Sequence, residues 1–195
     1  MRVISWEEYI DPHSLLTVHC SLPDTPFAVT VGVFDGVHRG HQALIRKVCS
    51  SPHTPTVVTF RQNPQSVLKA DAFTGDILTL EQKLRALEVL GVQLTVLIDF
   101  SEKFSKINGR DFIDLLLNRP VKLIALGRNF RCGYRLDTGA EEIRSLAEAR
   151  GAEVWVAPPV MDEGQPVSSS RIRQALAAGR QAEAERLLGW PEELH

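Results

Sequence analysis

The chain has 195 residues, of which 44% are hydrophobic and 24% are charged, and its formal net charge is −2. These values are ordinary for a globular protein, and they argue against a surface that recruits nucleic acid or an anionic membrane. Acidic residues stand near the N-terminus where a secretory signal has its apolar core, and no apolar run approaches the roughly 20 residues that span a bilayer. The three scattered cysteines favour neither a disulfide framework nor a structural zinc site. We therefore expect a soluble cytoplasmic protein that holds any anionic ligand in a local site.

Beyond a mixed lead-in over residues 1–27, the chain alternates between predicted strands and predicted helices up to residue 191, with a short tail over 192–195. Continuous apolar runs predict strands over residues 28–34, 55–60, 93–100, 121–127 and 152–159. Helical periodicity covers residues 41–50, 79–91, 109–118, 139–151, 169–179 and 180–189. This alternation predicts an α/β fold in which helices cover both faces of a parallel sheet, with ligands bound beyond the carboxyl ends of the strands.

The helix over residues 79–91 is the clearest of these elements. Thr79 and Gln82 have the spacing of a capping box, and Gly91 marks the end of the helix. Its expected buried stripe consists of Leu80, Leu84 and Leu87. Residues 61–78 lack a clear period, and we expect them to form a surface excursion near the strand ends.

The segment "GVFDGVHRGH", residues 32–41, joins the first of these strands to the next helix. Gly36 and Gly40 would let an anion approach the main chain, and the helix start supplies free N–H groups and a positive dipole end. His38 and His41 could both donate to a phosphorus centre whose oxygens gain charge. The alternatives are a plain turn, structural histidines, or a metal site with D-x-x-H-x-x-H spacing from Asp35. The metal site would need a helix from Asp35 onward, which the two glycines oppose.

Two further segments would lie at the same edge of the sheet. "VSSSRIR", residues 167–173, has serines, free N–H groups and two arginines at a helix start, which would suit a polyanion. The alternative is a plain N-cap with solvated arginines, with Ile172 and Leu176 facing the core. "LGRNFRCGYR", residues 126–135, follows a buried strand, and we expect Asn129, Arg131 and Gly133 at the ligand rim unless this is an ordinary loop. Two helix-start anion sites suit an extended ligand such as a nucleoside triphosphate.

These three segments resemble the signature blocks of the bacterial FAD synthetase family. Its members usually join an FMN adenylyltransferase domain to a C-terminal riboflavin kinase domain. His38-Arg39-Gly40-His41 is also similar to the motif of the HIGH-motif nucleotidyltransferases, which implies their Rossmann-like fold. The resemblance spans about residues 28–191. It implies an adenylyltransferase domain without the kinase domain, supplied with FMN by a separate riboflavin kinase.

The resemblance implies transfer of AMP from MgATP to FMN, giving FAD and pyrophosphate, with Mg²⁺ held mainly by the ATP phosphates. The residues that it implies as catalytic are His38, His41, Asn129 and Arg171. The implied ATP-binding residues are Gly32, Phe34, Asp35, Gly36, His38, Gly40, His41, Ser168, Ser169, Arg171 and Arg173. The implied flavin-binding residues are Phe60, Asn63, Pro64, Asn129, Phe130 and Arg131.

The sequence departs from the family pattern on the flavin side. After Thr59-Phe60, Arg61 stands where the family has an acid and Gln62 where it has a proline, and Cys132 replaces a usual aromatic residue. Two other functions therefore stay open. One is an adenylyl- or cytidylyltransferase for another phosphorylated acceptor, and the other is a non-catalytic regulatory module that binds nucleotide or flavin. The sequence makes no prediction of oligomeric state.

Overall fold

The structure is a computed structural model that describes residues 1–11 and 25–190. Its centre is a six-stranded sheet, with strands in the spatial order β1 (Arg2–Ser5), β4 (Leu94–Ile98), β3 (Thr54–Phe60), β2 (Phe27–Val31), β5 (Val121–Gly127) and β8 (Glu153–Ala157). Every neighbouring pair in this sheet runs parallel. The predicted parallel sheet is confirmed.

The described ranges contain the helices α1 (Trp6–Ile10), α2 (Arg39–Cys49), α3 (Pro64–Leu68), α4 (Leu80–Val89), α5 (Gly109–Leu116), α6 (Ala140–Glu148), α7 (Ser169–Ala177) and α8 (Gln181–Leu188). Two short antiparallel hairpins follow the last two strands of the sheet: β6 (Arg131–Cys132) with β7 (Thr138–Gly139), and β9 (Met161–Asp162) with β10 (Gln165–Pro166). None of these helices is long and apolar enough to cross a membrane.

Successive residues of the central strands enter two different cores, because side chains alternate between the two faces of a sheet. On one face, Val29 and Ile124 pack with apolar residues of α1, α5 and α6. On the other face, Ala28 and Ala125 pack with apolar residues of α2 and α4. A third, smaller cluster joins α7 to α8. All five residues of β2 are buried, as its continuous apolar run predicts for a strand covered on both faces.

The strand order reverses direction at β2. From β2 the chain steps outward to β3 and then to β4, whereas β5 returns to the opposite side of β2. The connecting helices change faces with this reversal, which makes the carboxyl ends of β2 and β5 the switch point of the sheet, the place where such folds bind ligands. Residues 32–41 and 127–137 follow these two strand ends. The topology therefore places two of the predicted functional segments at the switch point of the sheet.

Several details of the sequence prediction need correction. The lead-in over residues 1–27 is not separate from the sheet, because Arg2–Ser5 forms the edge strand beside β4. Two predicted segments lie outside the described residues: part of the lead-in, residues 12–24 with Cys20, and the tail over residues 192–195. The buried face of α4 is formed by Lys83, Ala86 and Leu87, whereas Leu80 and Leu84 are only half-buried.

In helix α7, too, one of the two residues predicted to face the core is not buried. Ile172 is buried as expected, but Leu176 is 40% exposed. The reason is that α7 packs on α8 through Ile172 and Ala175, three residues apart, which turns Leu176 toward solvent. Residues 61–78 are a connection as predicted, although they contain the short helix α3.

The substitution Ile124→Ala tests the position of β5 inside the sheet, between β2 and β8. Ile124 is fully buried, so the truncation should lower the free energy of unfolding by about 2–4 kcal/mol through lost burial and the cavity left behind. Urea denaturation followed by circular dichroism measures this loss. Val3→Ala is the control, because Val3 is 42% exposed on the edge strand and its loss should cost less than about 1 kcal/mol. Equal effects of the two substitutions would contradict the assignment.

Candidate functional site

A tight turn over residues 32–38 connects the end of β2 to the start of α2. Phe34 and Val37 have positive φ angles of 52° and 40° although neither is a glycine, and Gly36 has a φ of 84°. Such backbone is costly for residues with a side chain, and it persists only where the surroundings fix it. Here the ring of Phe34 is fully buried, and the Trp190 indole N–H donates to the Gly36 carbonyl at 2.9 Å.

His38 caps the N-terminus of α2. Its Nδ1 accepts a hydrogen bond from the His41 backbone N–H at 3.3 Å, so in the neutral ring the proton lies on Nε2. Burial lowers the pKa of His38 to about 4. Gly40 makes room for this ring, because a Cβ at that position would lie 3.1 Å from the His38 Cε1. His38 is therefore an uncharged donor at neutral pH.

The ring of His41 lies against that of His38. The ring centroids are 3.6 Å apart with an interplanar angle of 16°, and the edge of Phe34 contacts His41 at 5.1 Å between centroids. Burial is the main cause that holds the pKa of His41 well below its ordinary value, and a proton on His41 is further opposed by the Lys83 ammonium and by any proton on His38. Its Nδ1 is buried and has no hydrogen-bond partner among the described residues. The two stacked rings thus form a pair of uncharged imidazoles at the start of a helix.

Asp35 connects this turn to the start of α7. Its buried carboxylate accepts a hydrogen bond from the Ile77 N–H at 2.8 Å and forms an ion pair with Arg173. Its backbone carbonyl accepts from the Ser169 hydroxyl at 2.8 Å. Burial raises the pKa of Asp35, while the Ile77 N–H and the Arg173 charge oppose that rise. The two predicted helix starts, far apart in sequence, therefore meet at this residue.

Further contacts hold α7 and the C-terminal segment in place. Ser168 caps α7, accepting from the Arg171 backbone N–H at 3.2 Å. The amide of Gln42 on α2 donates to the carbonyls of Val37 at 3.1 Å and Leu188 at 2.9 Å. The turn, the start of α7 and the end of α8 are consequently one packed unit.

Asp162, on the β9–β10 hairpin, is the centre of an arginine cluster that the sequence did not predict. Its buried carboxylate pairs with Arg39 at 3.1 Å, Arg171 at 3.0 Å and Arg186 at 3.2 Å. Hydrogen bonds from Arg186, and then from Arg171, hold the pKa of Asp162 below its usual range. The sequence near Asp162 indicates only the hairpin turn that follows it. A local pattern of this kind cannot identify ion-pair partners such as Arg39, which is 123 residues away in the chain.

Arg171 is thus fixed before any ligand binds. Besides Asp162, it contacts Glu183 through Nε at 3.3 Å, and its side chain is only 13% exposed. The Arg171 guanidinium donates one N–H from Nε to Glu183 and one from each Nη to Asp162. Each Nη carries two N–H groups, so one on each remains for a ligand. Arg173 similarly donates to Asp35 and, through Nε, to the Gly75 carbonyl at 3.2 Å.

The predicted flavin-side residues at the end of β3 have structural contacts of their own. The Phe60 ring meets Phe100 edge to face at 5.7 Å between centroids. Asn63 caps α3 and donates to Asp76 at 2.9 Å, and Pro64 occupies the first turn of that helix. Asn63 is 6% exposed, so little of its surface is free for a ligand.

The departure at residue 61 has a local partner. The Arg61 Nε donates to the Asp99 carboxylate at 2.7 Å, and the Gln62 amide donates to the Phe100 carbonyl at 3.0 Å. Both residues therefore attach the end of β3 to the segment that follows β4. Arg61 stands where the family has an acid, and this change is compatible with the fold because the Asp99 carboxylate pairs with the Arg61 charge.

The segment after β5 is more open. Asn129 is exposed, Phe130 packs against the core beneath α5 and α6, and the Arg131 Nε donates to the Leu136 carbonyl at 2.7 Å. Gly133 has a φ of 83° and packs so closely on Gly109 that a side chain would not fit. A cavity of about 600 Å³ opens beside the start of α6, and Arg131 lines it together with Arg128, Asp137, Gly139, Ala140, Glu141, Glu142, Arg144 and Val156. The residues of the histidine turn and of the start of α7 do not line this cavity.

Lys83 on α4 is a second residue that the prediction missed. It is 7% exposed, and its Nζ donates to the Phe60 carbonyl at 2.8 Å. The sequence did contain a signal, since Lys83 lies three residues after Leu80 and four before Leu87 and so shares their helix face.

The metal-site alternative gains no support from the geometry. No group of three His, Cys, Asp or Glu side chains within residues 1–11 and 25–190 is arranged to hold a metal ion. The Asp35 carboxylate is engaged by Arg173 and the Ile77 N–H instead.

The low pKa of His38 predicts a specific dependence of stability on pH. The ordinary histidine pKa is 6.5, and the pKa of His38 in the folded chain is about 4. At pH values between these two, the unfolded chain binds a proton at this histidine and the folded chain does not. The free energy of unfolding should therefore fall as the pH falls through that window. The full contribution is on the order of 3 kcal/mol. His38→Asn keeps a helix cap but removes the titrating ring, and urea denaturation at a series of pH values should show a shallower loss for this variant. Parallel profiles would contradict the prediction.

The chain is similar to proteins of one family. It is 31% identical over 175 residues to the bifunctional riboflavin kinase/FMN adenylyltransferase of Escherichia coli K12. The match covers 87% of this chain and 56% of that relative, so this chain spans about half the relative's length. A crystal structure titled macrolide-efflux protein from Streptococcus pneumoniae superposes with a TM-score of 0.80 at 28% identity, covering 98% of this chain and 62% of that one. Pantoate-beta-alanine ligase from Francisella tularensis shares the fold, with a TM-score of 0.61, 15% identity, and coverage of 89% and 73%. The sequence model of FAD synthetase matches residues 21–171, which confirms the predicted relationship: this chain belongs to the FAD synthetase family.

Proposed function

We propose that this chain transfers the adenylyl group of MgATP to the phosphate of FMN, giving FAD and pyrophosphate. The observation that carries the proposal is the meeting of two helix starts at Asp35, where Ser169 and Arg173 of α7 contact the turn that leads into an uncharged imidazole pair. Membership of the FAD synthetase family and the name of the E. coli relative support FMN as the acceptor.

In the proposed reaction an FMN phosphate oxygen attacks the α-phosphorus of ATP, and the bond from that phosphorus to the bridging oxygen breaks as pyrophosphate leaves. No covalent intermediate with the protein is required, because positioning and charge stabilisation can supply most of the rate enhancement. His38 and His41 donate N–H groups to the α-phosphate oxygens, on which negative charge develops. The free N–H groups at the start of α2 add their partial positive charge.

The start of α7 is assigned to the β- and γ-phosphates. Ser168, Ser169, Arg171 and Arg173 surround this helix start, and both arginines retain N–H groups beyond those donated to carboxylates. Magnesium enters as part of MgATP. The described residues hold no carboxylate cluster for a resident ion, and Mg²⁺ binds nucleotides chiefly through phosphate oxygens.

The flavin side is assigned to the ends of β3 and β5. The strands β3 and β5 flank β2 on either side, so an acceptor between their ends would face the α-phosphate. The residues assigned to it are Phe60, which ends β3, and Pro64, Asn129, Phe130 and Arg131, which come after these strands. Asn63 supports this region as the cap of α3 rather than as a direct ligand. In this region Arg61, which stands where the family has an acid, pairs with Asp99 beyond β4.

Incubation of the purified protein with MgATP and FMN, followed by chromatographic separation of the flavins, should yield FAD and pyrophosphate. Parallel reactions with CTP in place of ATP, and with other phosphorylated acceptors in place of FMN, compare the alternative transferases. Turnover only with another acceptor would reject FMN. ATP binding without pyrophosphate release in any mixture would favour a regulatory module.

His41→Ala should lower kcat at saturating ATP by about a hundredfold or more, because it removes a donor that acts on the transition state. His53→Ala is a matched control, since His53 precedes β3 at the opposite end of that strand from Phe60. Steady-state rates of FAD formation measure both variants. A change in KM alone would reduce His41 to a substrate-binding group.

A further inference from the structure

The β9–β10 hairpin presents a buried carboxylate on a backbone that is closed at both ends. At its base the Val167 N–H donates to the Val160 carbonyl at 2.9 Å. At its tip Glu163 and Gly164 have positive φ angles of 49° and 77°, as a two-residue turn of type I′ requires. Asp162 stands directly before this turn and is 8% exposed. The hairpin therefore fixes the backbone from which the Asp162 carboxylate extends.

The base of this hairpin lies against the first turn of α2. A Cβ added at Gly40 would stand 3.8 Å from the Val167 carbonyl. Arg39, which lies between His38 and Gly40 in the chain, places its Nη1 at 3.1 Å from the Oδ1 of Asp162. The Asp162 carboxylate is therefore tied to the helix start that carries the histidines.

Arg171 is held by Asp162 through two different oxygens. Its Nη2 donates to the carboxylate Oδ2 at 3.0 Å, and its Nη1 donates to the main-chain carbonyl of Asp162 at 2.9 Å. Two bonds from one planar guanidinium restrict its rotation as well as its position. Arg186 reaches the same carboxylate from α8, with its Nε 3.2 Å from Oδ1 and its Nη2 3.3 Å from Oδ2. Asp162 thus sets the plane in which the Arg171 guanidinium lies.

The cluster around Asp162 carries a surplus of positive charge. Among the residues that the structure describes, its arginines are Arg39, Arg171, Arg180 and Arg186, and its carboxylates are Asp162, Glu163 and Glu183. Four arginines against three carboxylates leave one positive charge over. A buried ion pair is weak evidence for a stabilising role, and such a role requires no surplus. Oriented guanidinium groups with charge to spare are what a polyphosphate requires.

We infer that Asp162 is a positioning residue of this site, whose carboxylate and carbonyl hold the Arg171 guanidinium in the orientation that the leaving pyrophosphate requires. The inference rests on the proposed adenylyl transfer and deepens it, because Asp162 acts on the phosphates through Arg171 without touching them. The orientation of Arg171 is also a property of the substrate-free protein, so it can be measured independently of turnover.

Loss of the Asp162 charge has two opposite effects on ATP binding. The arginines gain net positive charge, which favours the polyphosphate, and they lose their fixed orientation, which raises the entropy cost of binding. The rate has no such compensation, because it depends on correct geometry at the leaving group. The positioning role therefore predicts a larger effect on kcat than on the affinity for MgATP.

Three substitutions separate this role from a structural one. Asp162→Asn removes the charge and keeps the shape of the side chain, and Arg171→Gln removes the guanidinium through which Asp162 acts. Arg186→Gln is the matched control, because Arg186 pairs with the same carboxylate, is 43% exposed and has no assigned role in binding. Urea denaturation of each variant establishes that it folds.

The first measurement is an NMR spectrum of the arginine side chains in the substrate-free protein, with the Arg171 signals identified by their loss in Arg171→Gln. A guanidinium held at both Nη groups rotates slowly about its Cζ–Nε bond. The two Nη groups of Arg171 should therefore give separate signals in the wild type and in Arg186→Gln, and they should merge in Asp162→Asn. Signals that stay separate in Asp162→Asn overturn the inference.

The second measurement is a double-mutant cycle on FAD formation at saturating ATP and FMN. Asp162→Asn should lower kcat by roughly tenfold, and it should change the Kd for MgATP, measured by calorimetry, by much less. In the Arg171→Gln background it should lower kcat no further, because the residue that it positions is gone. Arg186→Gln should leave kcat near the wild-type value.

The outcomes distinguish this inference from the proposed function. Losses that multiply in the double variant, or an equal loss of kcat in Arg186→Gln, would show that Asp162 acts through general packing and would overturn the positioning role. An unchanged kcat in Asp162→Asn would do the same. A wild-type protein that makes no FAD would reject the proposed function, while merged Nη signals in Asp162→Asn would still establish that Asp162 orients Arg171.

Discussion

The carboxylate of Asp35 lies buried in the turn after β2, where it accepts the Ile77 N–H and pairs with Arg173 while its own carbonyl accepts from Ser169. A buried charge must find partners, and a turn with positive φ at Phe34 must be held by its surroundings. Both requirements are met by the same contacts. The connection after α3 and the start of α7 are therefore fixed in the positions from which they complete the site, and loss of this pairing would release both.

The arginines at the site are arranged by carboxylates rather than left free in solvent. Asp162 gathers Arg39 from the start of α2, Arg171 from α7 and Arg186 from α8, so three helices depend on one residue of a two-strand hairpin. In the proposed site such pairing would lower the affinity for phosphate, because the phosphate would share donors that already have acceptors. It reduces the side-chain entropy lost on binding, since the guanidinium groups are already oriented.

Much of this arrangement was predictable from local sequence patterns. Every strand and helix predicted from periodicity is present within a few residues, and the Thr79 capping box forms as expected. The sequence missed β1, because four residues of an edge strand carry too little pattern to distinguish from a loop. It also misassigned the face of α4, because the expected stripe was chosen by apolar residues alone and Lys83 was passed over.

The candidate site was predictable in its parts but not in its assembly. The three segments that carry the family resemblance could be located, and the parallel topology predicted that they would share one edge of the sheet. The partners of Arg171 and Arg173 could not be located, because Asp162 and Asp35 are joined to them only by tertiary packing. The compensation of Arg61 by Asp99 was hidden for the same reason, as the two residues are adjacent only through the pairing of β3 with β4.

The contrast between uncharged histidines and charged arginines has a consequence for the proposed catalysis. In the proposed reaction the arginines at the start of α7 would localise the nucleotide and would also stabilise the negative charge that the pyrophosphate gains as it leaves. An uncharged N–H donor interacts weakly with the ground-state α-phosphate and more strongly as charge accumulates on its oxygens. Burial, which holds the pKa of His41 well below its ordinary value, keeps its ring in this uncharged form. On this proposal the histidines would act at the α-phosphorus and the arginines at the leaving pyrophosphate, and the same turn at Asp35 holds both helix starts in register.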